Sequence, residues 1–377
     1  MDPDDLRMLG EAAARYAARV HDPAALRARR GIGPGHAPEQ LQELAAQGWL
    51  AAFVPEAAGG LGLGPEAAAA LVGPLAAGFA VAPLDSHFLA CRVLAHVGAA
   101  PEAYAGVEDG SSLPVLAFQE RAGDVFAPAS VATRLGADLR LTGAKRFVLG
   151  HQVAGRFLVT ARAPRGGLVL VEVAAGAEGL EATTQWRADG GPMGALGFAS
   201  VPARVVCDDP ELVAGAVARA VDETALVLAA ETVAHIEAMK SLLLEHLRTR
   251  VQFDRPIGAF QALQHRAADL HVAALVSRAV LEPAVTRVGA GVGDASARAL
   301  LVSRVRARAS ATARTMAREA IQMFGAMGIT DECDLGLHVT RVLALNAQLG
   351  TEAEHRRRLA GLLADDLTQR MTEEIAR

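Results

Sequence analysis

The sequence predicts an α+β fold that is mostly α, in the order helices, β-strands, helices. Three observations carry this. Aromatic residues make up only 4% of the chain against 51% hydrophobic overall, so Ala, Leu and Val fill the core, and such alanine-rich stretches favour close-packed helices. Composition shifts twice, near Gly110 and near Pro210, dividing the chain into an N-terminal helical domain (1–110), a middle β domain (111–210) and a C-terminal helical domain (211–377). A length of 377 residues matches two or three domains of about 100–200 residues each.

In the first domain apolar residues recur at helical spacing: in EQLQELAAQGWLAAF, Leu41, Leu44, Ala45 and Gly48 share one face. The uncharged run from Ala67 to Leu84 is alanine-rich and contains Gly73, Pro74, Gly78 and Pro83, which predicts buried bundle helices and no membrane span. The opening MDPDDLRMLGEAAARYAARV is acidic and amphipathic, unlike a basic and then apolar secretory signal, so no targeting segment is expected. Between 111 and 210, LRLTGAKRFVL, RFLVTARA and GLVLVEV have strand character and are separated by Gly, Pro and Asp turn chemistry, which predicts a small antiparallel β domain. From Glu211 to Arg250 the sole glycine is Gly215 and proline is absent, so one helix of up to about 55 Å fits. Pro256 and Gly258 then force a turn, and the next helix begins near Ala259. A further helix starts near Asp294, with Asp294 or Ser296 as N-cap, and stops at Gly325 and Gly328. TEAEHRRRLAGLLADDL reads as a final short helix with Arg356, Arg357 and Arg358 on a solvated face.

With 37 basic and 42 acidic residues the net charge is −5, which gives no general attraction to nucleic-acid phosphates. Cys91, Cys207 and Cys333 lie far apart and form no CxxC pair, so neither a disulfide framework nor a zinc ribbon is indicated, and a cytoplasmic setting is expected. His265 and His271, six apart on a helix, fall on different faces, so no metal site is expected.

The chain has no HExxH, GxSxG or GxxxxGK[ST] motif, and GGLGLG at 59–64 lacks the GxGxxG spacing and reads as a loop. Trp49 and Trp186 are expected in the core. Two clusters stand out. Arg250, Gln252, Phe253, Pro256, Ile257, Phe260 and Gln261 taken alone read as a helical hairpin, with Phe253 and Phe260 in the core and Arg250 as a helix-end cation. Gln322, Phe324, Gly325, Ala326, Met327, Gly328, Ile329 and Thr330 close another helix with small residues that let a ligand approach the backbone. Together the clusters can cradle a phosphorylated cofactor.

These clusters also carry a resemblance that covers nearly the whole chain. RVQFDRPIGAFQALQHRAADL resembles the R-x-Q-F-G-x-P-I-x-x-F-Q-x-x-Q motif of acyl-CoA dehydrogenases, and EAIQMFGAMGITDECDL resembles their Q-x-x-G-G-x-G-[FY]-x-x-E-[YH] segment. LAAQGWLAAFVPEAAGGLGLG is similar to the family's L-x-x-L-G-W-L-x-x-x-x-P-E-x-x-G-G-x-G, and VATRLGADLRLTGAKRFVLGHQVAGRFLVTARA to its G-x-K-x-[WF]-[IV] region and the strand that follows. The nearest likeness is to short bacterial forms found in mixed assemblies, such as the small subunit of pimeloyl-CoA dehydrogenase. The resemblance implies a middle domain that is β-barrel-like and a C-terminal four-helix bundle through which subunits associate.

It also implies roles, residue by residue. Arg250, Gln252 and Phe253 would reach the FAD of a neighbouring subunit, with the Arg250 guanidinium on the pyrophosphate, and Gln261 would support the same cofactor. Gln322 and Gly325 would contact its adenosine and pyrophosphate side; Ala326 stands where the family has a second glycine. Phe147 would stack on the flavin ring, Leu149 replaces the family's threonine beside it, and Thr351 could touch FAD. The family reaction is α,β-dehydrogenation of an acyl thioester: a carboxylate removes the α-proton while a hydride passes from the β-carbon to the flavin. The family's glutamate precedes Gly-Thr, and QLGT here puts Leu349 in that place. The alternative position, at the start of the long helix, holds Thr224. Glu223 is turned by about 100° from it, whereas Glu231, about 10 Å along on roughly the same face, is the candidate base of this chain. An FAD-dependent acyl-CoA dehydrogenase is therefore expected, taking an acyl-CoA substrate, passing electrons to an electron-transfer flavoprotein and forming a homo- or hetero-oligomer, dimer or tetramer. Leu349 and Thr224 also admit a non-catalytic partner subunit that relies on another chain's glutamate, or a relative running another flavin reaction such as monooxygenation.

Overall fold

A computed structural model describes residues 1–33, 35–80, 83–127, 131–291 and 293–375, with side chains through 368 apart from that of Pro38. In chain order its elements are helices α1 (Pro3–Val20), α2 (Pro23–Ala28), α3 (Pro38–Ala46), α4 (Pro65–Ala77) and α5 (Leu84–His96). Strands follow: β1 (Leu113–Ala117), β2 (Arg134–Leu135), β3 (Arg140–Val148), β4 (Ala154–Arg162), β5 (Leu168–Ala174), β6 (Leu180–Trp186), β7 (Pro192–Pro202) and β8 (Arg204–Cys207). The remainder is α6 (Pro210–Thr249), the short strands β9 (Val251–Gln252) and β10 (Arg255–Pro256), α7 (Gln261–Gly289), α8 (Ala295–Phe324), α9 (Leu335–Asn346) and α10 (Glu352–Ile375). The fold is α+β and mostly α, and none of the described helices is long and apolar enough to cross a membrane.

Packing groups the chain into two compact units. One holds Val20–Ala68 and Phe79–Thr224, the other Met1–Arg19, Ala69–Gly78 and Ala225–Arg377. Composition along the chain suggests three consecutive segments, but α1 and most of α4 pack with the C-terminal helices, a long-range choice that local composition does not record.

The first unit is built on an eight-stranded sheet in the order β6-β7-β3-β2-β4-β5-β8, with β1 on β4. It is mixed where an antiparallel sheet was expected: β1 and β2 run parallel to β4, because alternation along a strand fixes which face is buried and not the strand's direction. Phe157, Val159 and Ala161 on β4 sit opposite Val173, Val171 and Val169 on β5, at the period of two that puts both triplets on one face. Side chains from six strands meet in this one core, so the sheet is curled around it. Lys145 on β3 is fully buried and donates to Phe118 O at 3.2 Å, Glu120 Oε1 at 2.8 Å and Thr160 Oγ1 at 3.2 Å, which satisfies all three ammonium protons. The loop at 59–64 is a loop, as expected, and Gly60 is required there: a Cβ would lie 2.2 Å from Val54 O. Trp49 is buried, but Trp186, at the end of edge strand β6, is 44% exposed and corrects the expectation of a core residue.

In the second unit the residues of α6 from Ala225 onward, together with α7, α8 and α10, are the long members of the C-terminal bundle. One core joins Met239, Leu243 and Leu247 of α6 to Leu270 and Ala274 of α7 and Met316 and Ala320 of α8; another joins Leu226 and Val233 to Leu281, Val285 and Val302. Asp294 is the N-cap of α8, its carboxylate accepting from Ala297 N at 2.8 Å. Two features depart from expectation: α9 was not foreseen, and the final helix runs 24 residues and is not short.

Candidate functional site

At the end of α6, Arg250 N donates to His246 O at 2.9 Å and the chain then reverses through β9 and β10, with Gln252 opposite Arg255. The two turn residues, Phe253 (φ 54°) and Asp254 (φ 63°), both lie in the left-handed region, as a mirror-image two-residue turn demands. Ile257 N donates to Arg250 O at 2.8 Å, and Gly258 lets the return strand close on α6, since a Cβ there would lie 2.8 Å from Leu247 O. Phe253 is 84% exposed and meets Phe260 edge-on at 6.0 Å. The reading of Phe253 as a core residue is thereby corrected: the tight turn throws its ring outward.

The end of α8 lies at the same level of the bundle. His246 of α6 stacks on Phe324 at 4.2 Å, and Leu247, Ile257 and Met323 share one core. The structure thus brings Arg250, Gln252, Phe253, Gln261, Gln322 and Gly325 to one end of one unit, all of them exposed. Among the described residues the side chains of Arg250, Gln252, Gln261 and Gln322 have no hydrogen-bond or ion-pair partner. Gly325 (φ 67°) has nothing within 4 Å of where a Cβ would stand. The residues from 248 to 255 include three arginines against one aspartate. One free guanidinium, three free amides and an open glycine beside an exposed aromatic ring fit the diphosphate and base of a dinucleotide.

Thr351 and Leu349 belong elsewhere. Their turn is held by Arg306, sixteen residues before Gln322 on α8 and thus about 24 Å away along its axis. Leu349 is 6% exposed and has φ 46°. Thr351 caps α10: its Oγ1 and its N donate to Glu354 Oε2, each at 2.7 Å, and Glu354 N donates back to Oγ1 at 3.3 Å, a reciprocal box that engages the hydroxyl expected at FAD.

The surroundings of Glu231 do not suit a base. The side chain is buried; Arg341 Nε donates to its Oε1 at 2.7 Å, and His235 Nε2 stands 3.7 Å away. Burial alone would raise the carboxyl pKa, but the charge and hydrogen bond of Arg341, with the imidazole of His235 nearby, outweigh it and hold the group at about 2. So acidic a carboxyl has little affinity for a substrate proton at neutral pH. His235 and His338 complete the network through a 2.9 Å Nδ1–Nδ1 hydrogen bond. Thr224 is buried and its hydroxyl donates to Ala220 O at 2.8 Å. Glu223, in the other unit, accepts from Arg92 Nε at 2.6 Å and Arg219 Nε at 3.0 Å and pairs with His96 at 3.0 Å. Only the i, i+4 spacing of Glu231 and His235 was available in the sequence to signal this network; Arg341 is 110 positions distant.

Phe147, also in the β unit, is half-buried on β3 with φ 59°, at a break in the β3–β7 register between Lys145 and Val148. Such a bulge re-aims a side chain, and a bulky aromatic in left-handed backbone marks a position held for a purpose.

Buried titratable groups set the acid response. Burial lowers His87 from 6.5 to about 4 and His355 from 6.5 to about 3, so their stabilisation is lost as pH falls below about 6.5, where the unfolded chain takes up protons first. Glu223 and Glu231, held at about 2, add a second loss below about 4.5. Urea midpoints are therefore expected to decline between pH 7.5 and 5 and again toward pH 3; a flat profile to pH 5 would contradict the buried neutral histidines.

Comparison with known proteins gives a consistent picture. Residues 3–101 match the family described as acyl-CoA dehydrogenase, N-terminal domain, and residues 215–363 the acyl-CoA dehydrogenase, C-terminal domain. Acyl-CoA dehydrogenase IpdE2 of Mycobacterium tuberculosis is 36% identical over 154 residues, 41% of this chain and 43% of that protein. Acyl-CoA dehydrogenase FadE27 of the same organism is 32% identical over 259 residues, 66% of each. The aligned stretch thus spans about two fifths of the length of IpdE2. Among solved structures, a variant of the Tcur3481–Tcur3483 steroid ACAD superposes with a TM-score of 0.84 at 26% identity, covering 97% of this chain and 99% of that one.

Proposed function

The chain belongs to the acyl-CoA dehydrogenase family, whose members bind FAD, and from that premise we propose that it is one subunit of a two-chain, FAD-dependent acyl-CoA dehydrogenase of the cytoplasm. The assembly introduces an α,β double bond into an acyl-CoA thioester and passes the electrons to an electron-transfer flavoprotein. FAD, when bound, supplies the two-electron oxidation that side chains cannot.

One observation carries the reading: the hairpin end of the bundle displays Arg250, Gln252, Gln261 and Gln322 exposed and unpaired among the described residues, whereas position 349, where the resemblance places the base, holds a hydrocarbon. Arg250 would bind the pyrophosphate of the neighbouring subunit's FAD, Gln252 and Gln261 would orient that cofactor, and Gln322 and Gly325 would meet its adenosine side; Phe147 would separately serve as a stacking ring for a flavin. Leu349 has no atom that takes a proton, so the α-proton leaves to a carboxylate of the partner at the partner's own site. The roughly 24 Å between the hairpin and position 349 along α8 supports their serving different sites. Two solved relatives, the Tcur3481–Tcur3483 steroid ACAD and the ChsE4–ChsE5 complex of Mycobacterium tuberculosis, are each named as a pair, and the first makes a steroid-derived acyl-CoA the substrate to try first.

Co-expression with a candidate partner is expected to give a yellow complex that bleaches anaerobically on adding acyl-CoA, while the chain alone does not bleach; bleaching by the chain alone would refute the division of labour. Arg250→Ala is expected to weaken FAD binding by roughly tenfold to a hundredfold, the worth of a charge-assisted phosphate contact, with no change in the unfolding midpoint of the apoprotein. Flavin retained on dialysis measures it.

A further inference from the structure

The turn that carries position 349 is held more firmly than a connecting loop requires. Leu349 (φ 46°) and Gly350 (φ 98°) are consecutive left-handed residues, and leucine in that region is an outlier that persists only where its surroundings impose it. Those surroundings are on α8 and α10. Arg306 Nη2 shares its two hydrogens among Leu345 O at 3.0 Å, Gln348 O at 2.8 Å and, at the longer distance of 3.4 Å, Gly350 O, while its buried Nε and Nη1 make no hydrogen bond among the described residues. His355 Nε2 donates to Leu349 O at 3.1 Å, which makes its Nδ1 the acceptor for the Ser303 hydroxyl 3.4 Å away. Arg306 and His355 are both fully buried.

An arginine that only capped α9 would need Leu345 O alone. Two of its three acceptors lie beyond that helix and flank Leu349. Stability does not explain the choice either, since burying a guanidinium costs several kcal/mol that an apolar side chain avoids. The carbonyl acceptors, together with the attraction of the buried Glu231 carboxylate, account for the cation.

We propose that Arg306 is a positioning residue, which with His355 locks the Gln348–Gly350 turn and so fixes where the side chain of residue 349 stands in the acyl site. The assignment to the acyl site rests on the function proposed above; the lock does not. The test is hydrogen–deuterium exchange on the flavin-loaded complex carrying Arg306→Met or Arg306→Lys. Amides 347–351 are expected to exchange at least tenfold faster with Met and less so with Lys, whose single ammonium can replace the one donating nitrogen but on a shorter reach, while peptides in α6 and α7 keep their protection. In the Leu349→Glu background, paired with a partner whose own base carboxylate has been removed so that turnover reports this chain's site alone, Arg306→Met is expected to lower kcat at least tenfold with KM nearly unchanged. Unaltered exchange at 347–351, a uniform rise across the bundle, or a local rise with kcat unmoved overturns the proposal. Failure of the acyl-CoA reading shows differently, as absence of flavin or of bleaching in the Leu349→Glu parent with the base-less partner, and the exchange data then decide the lock by themselves.

Discussion

Leu349→Glu is expected to convert an inert acyl site into a working one, raising acyl-CoA-dependent flavin reduction by this chain about 10²–10⁴-fold, the usual worth of a positioned general base. The backbone needs no remodelling. Residue 349 already occupies left-handed geometry, its carbonyl is bound by His355, and the neighbouring carbonyls are bound by Arg306. The new carboxylate would enter a largely buried place, where desolvation raises its pKa toward the operating range while the Arg306 cation limits the rise. The rate should therefore climb with pH through one ionisation, followed by stopped-flow bleaching under anaerobic conditions. A variant that folds, binds flavin and shows no gain would mean that position 349 does not face the reacting carbons.

Arg341→Met should be among the strongly damaging single changes in the bundle. It removes the cation hydrogen-bonded to the buried Glu231 carboxylate, leaving only the more distant Arg306 charge, and removing one member of a buried pair costs about 3–5 kcal/mol, a large part of the roughly 5–15 kcal/mol that holds a typical domain together. Removing both charges, as Arg341→Met with Glu231→Gln, should recover much of that loss. Urea unfolding of the two single variants and the double variant measures the coupling. A cost below about 1 kcal/mol for Arg341→Met would show that water or another group already compensates Glu231. Glu231→Gln should in turn leave kcat of the loaded complex unchanged once the folded fraction is allowed for, because the group is an anion of the core and not a base.

These two sites also show what a linear sequence reveals. Local signals were faithful: the Asp294 cap, the uninterrupted α6 and the alternating strands β4 and β5 each follow from neighbours in the chain. The hairpin from Val251 to Pro256 was legible through its motif, but the outward throw of Phe253 depends on two consecutive left-handed residues that the motif does not state. Helix α9 escaped because LGLHVTRVLALN opens with a glycine near its start and no side-chain cap. The setting of Glu231 was hidden for a deeper reason: a carboxylate's chemistry is set by what it meets, and Arg341 arrives from another helix. The parallel pairing of β1 with β4 is likewise a property of the chain's path.

The aromatic tip at Phe253 has a consequence for assembly. Without a neighbour over it, the hairpin leaves a bare phenyl ring between Arg250 and Arg255 in solvent, so wherever a partner or cofactor covers this end, burial of that ring adds to the association.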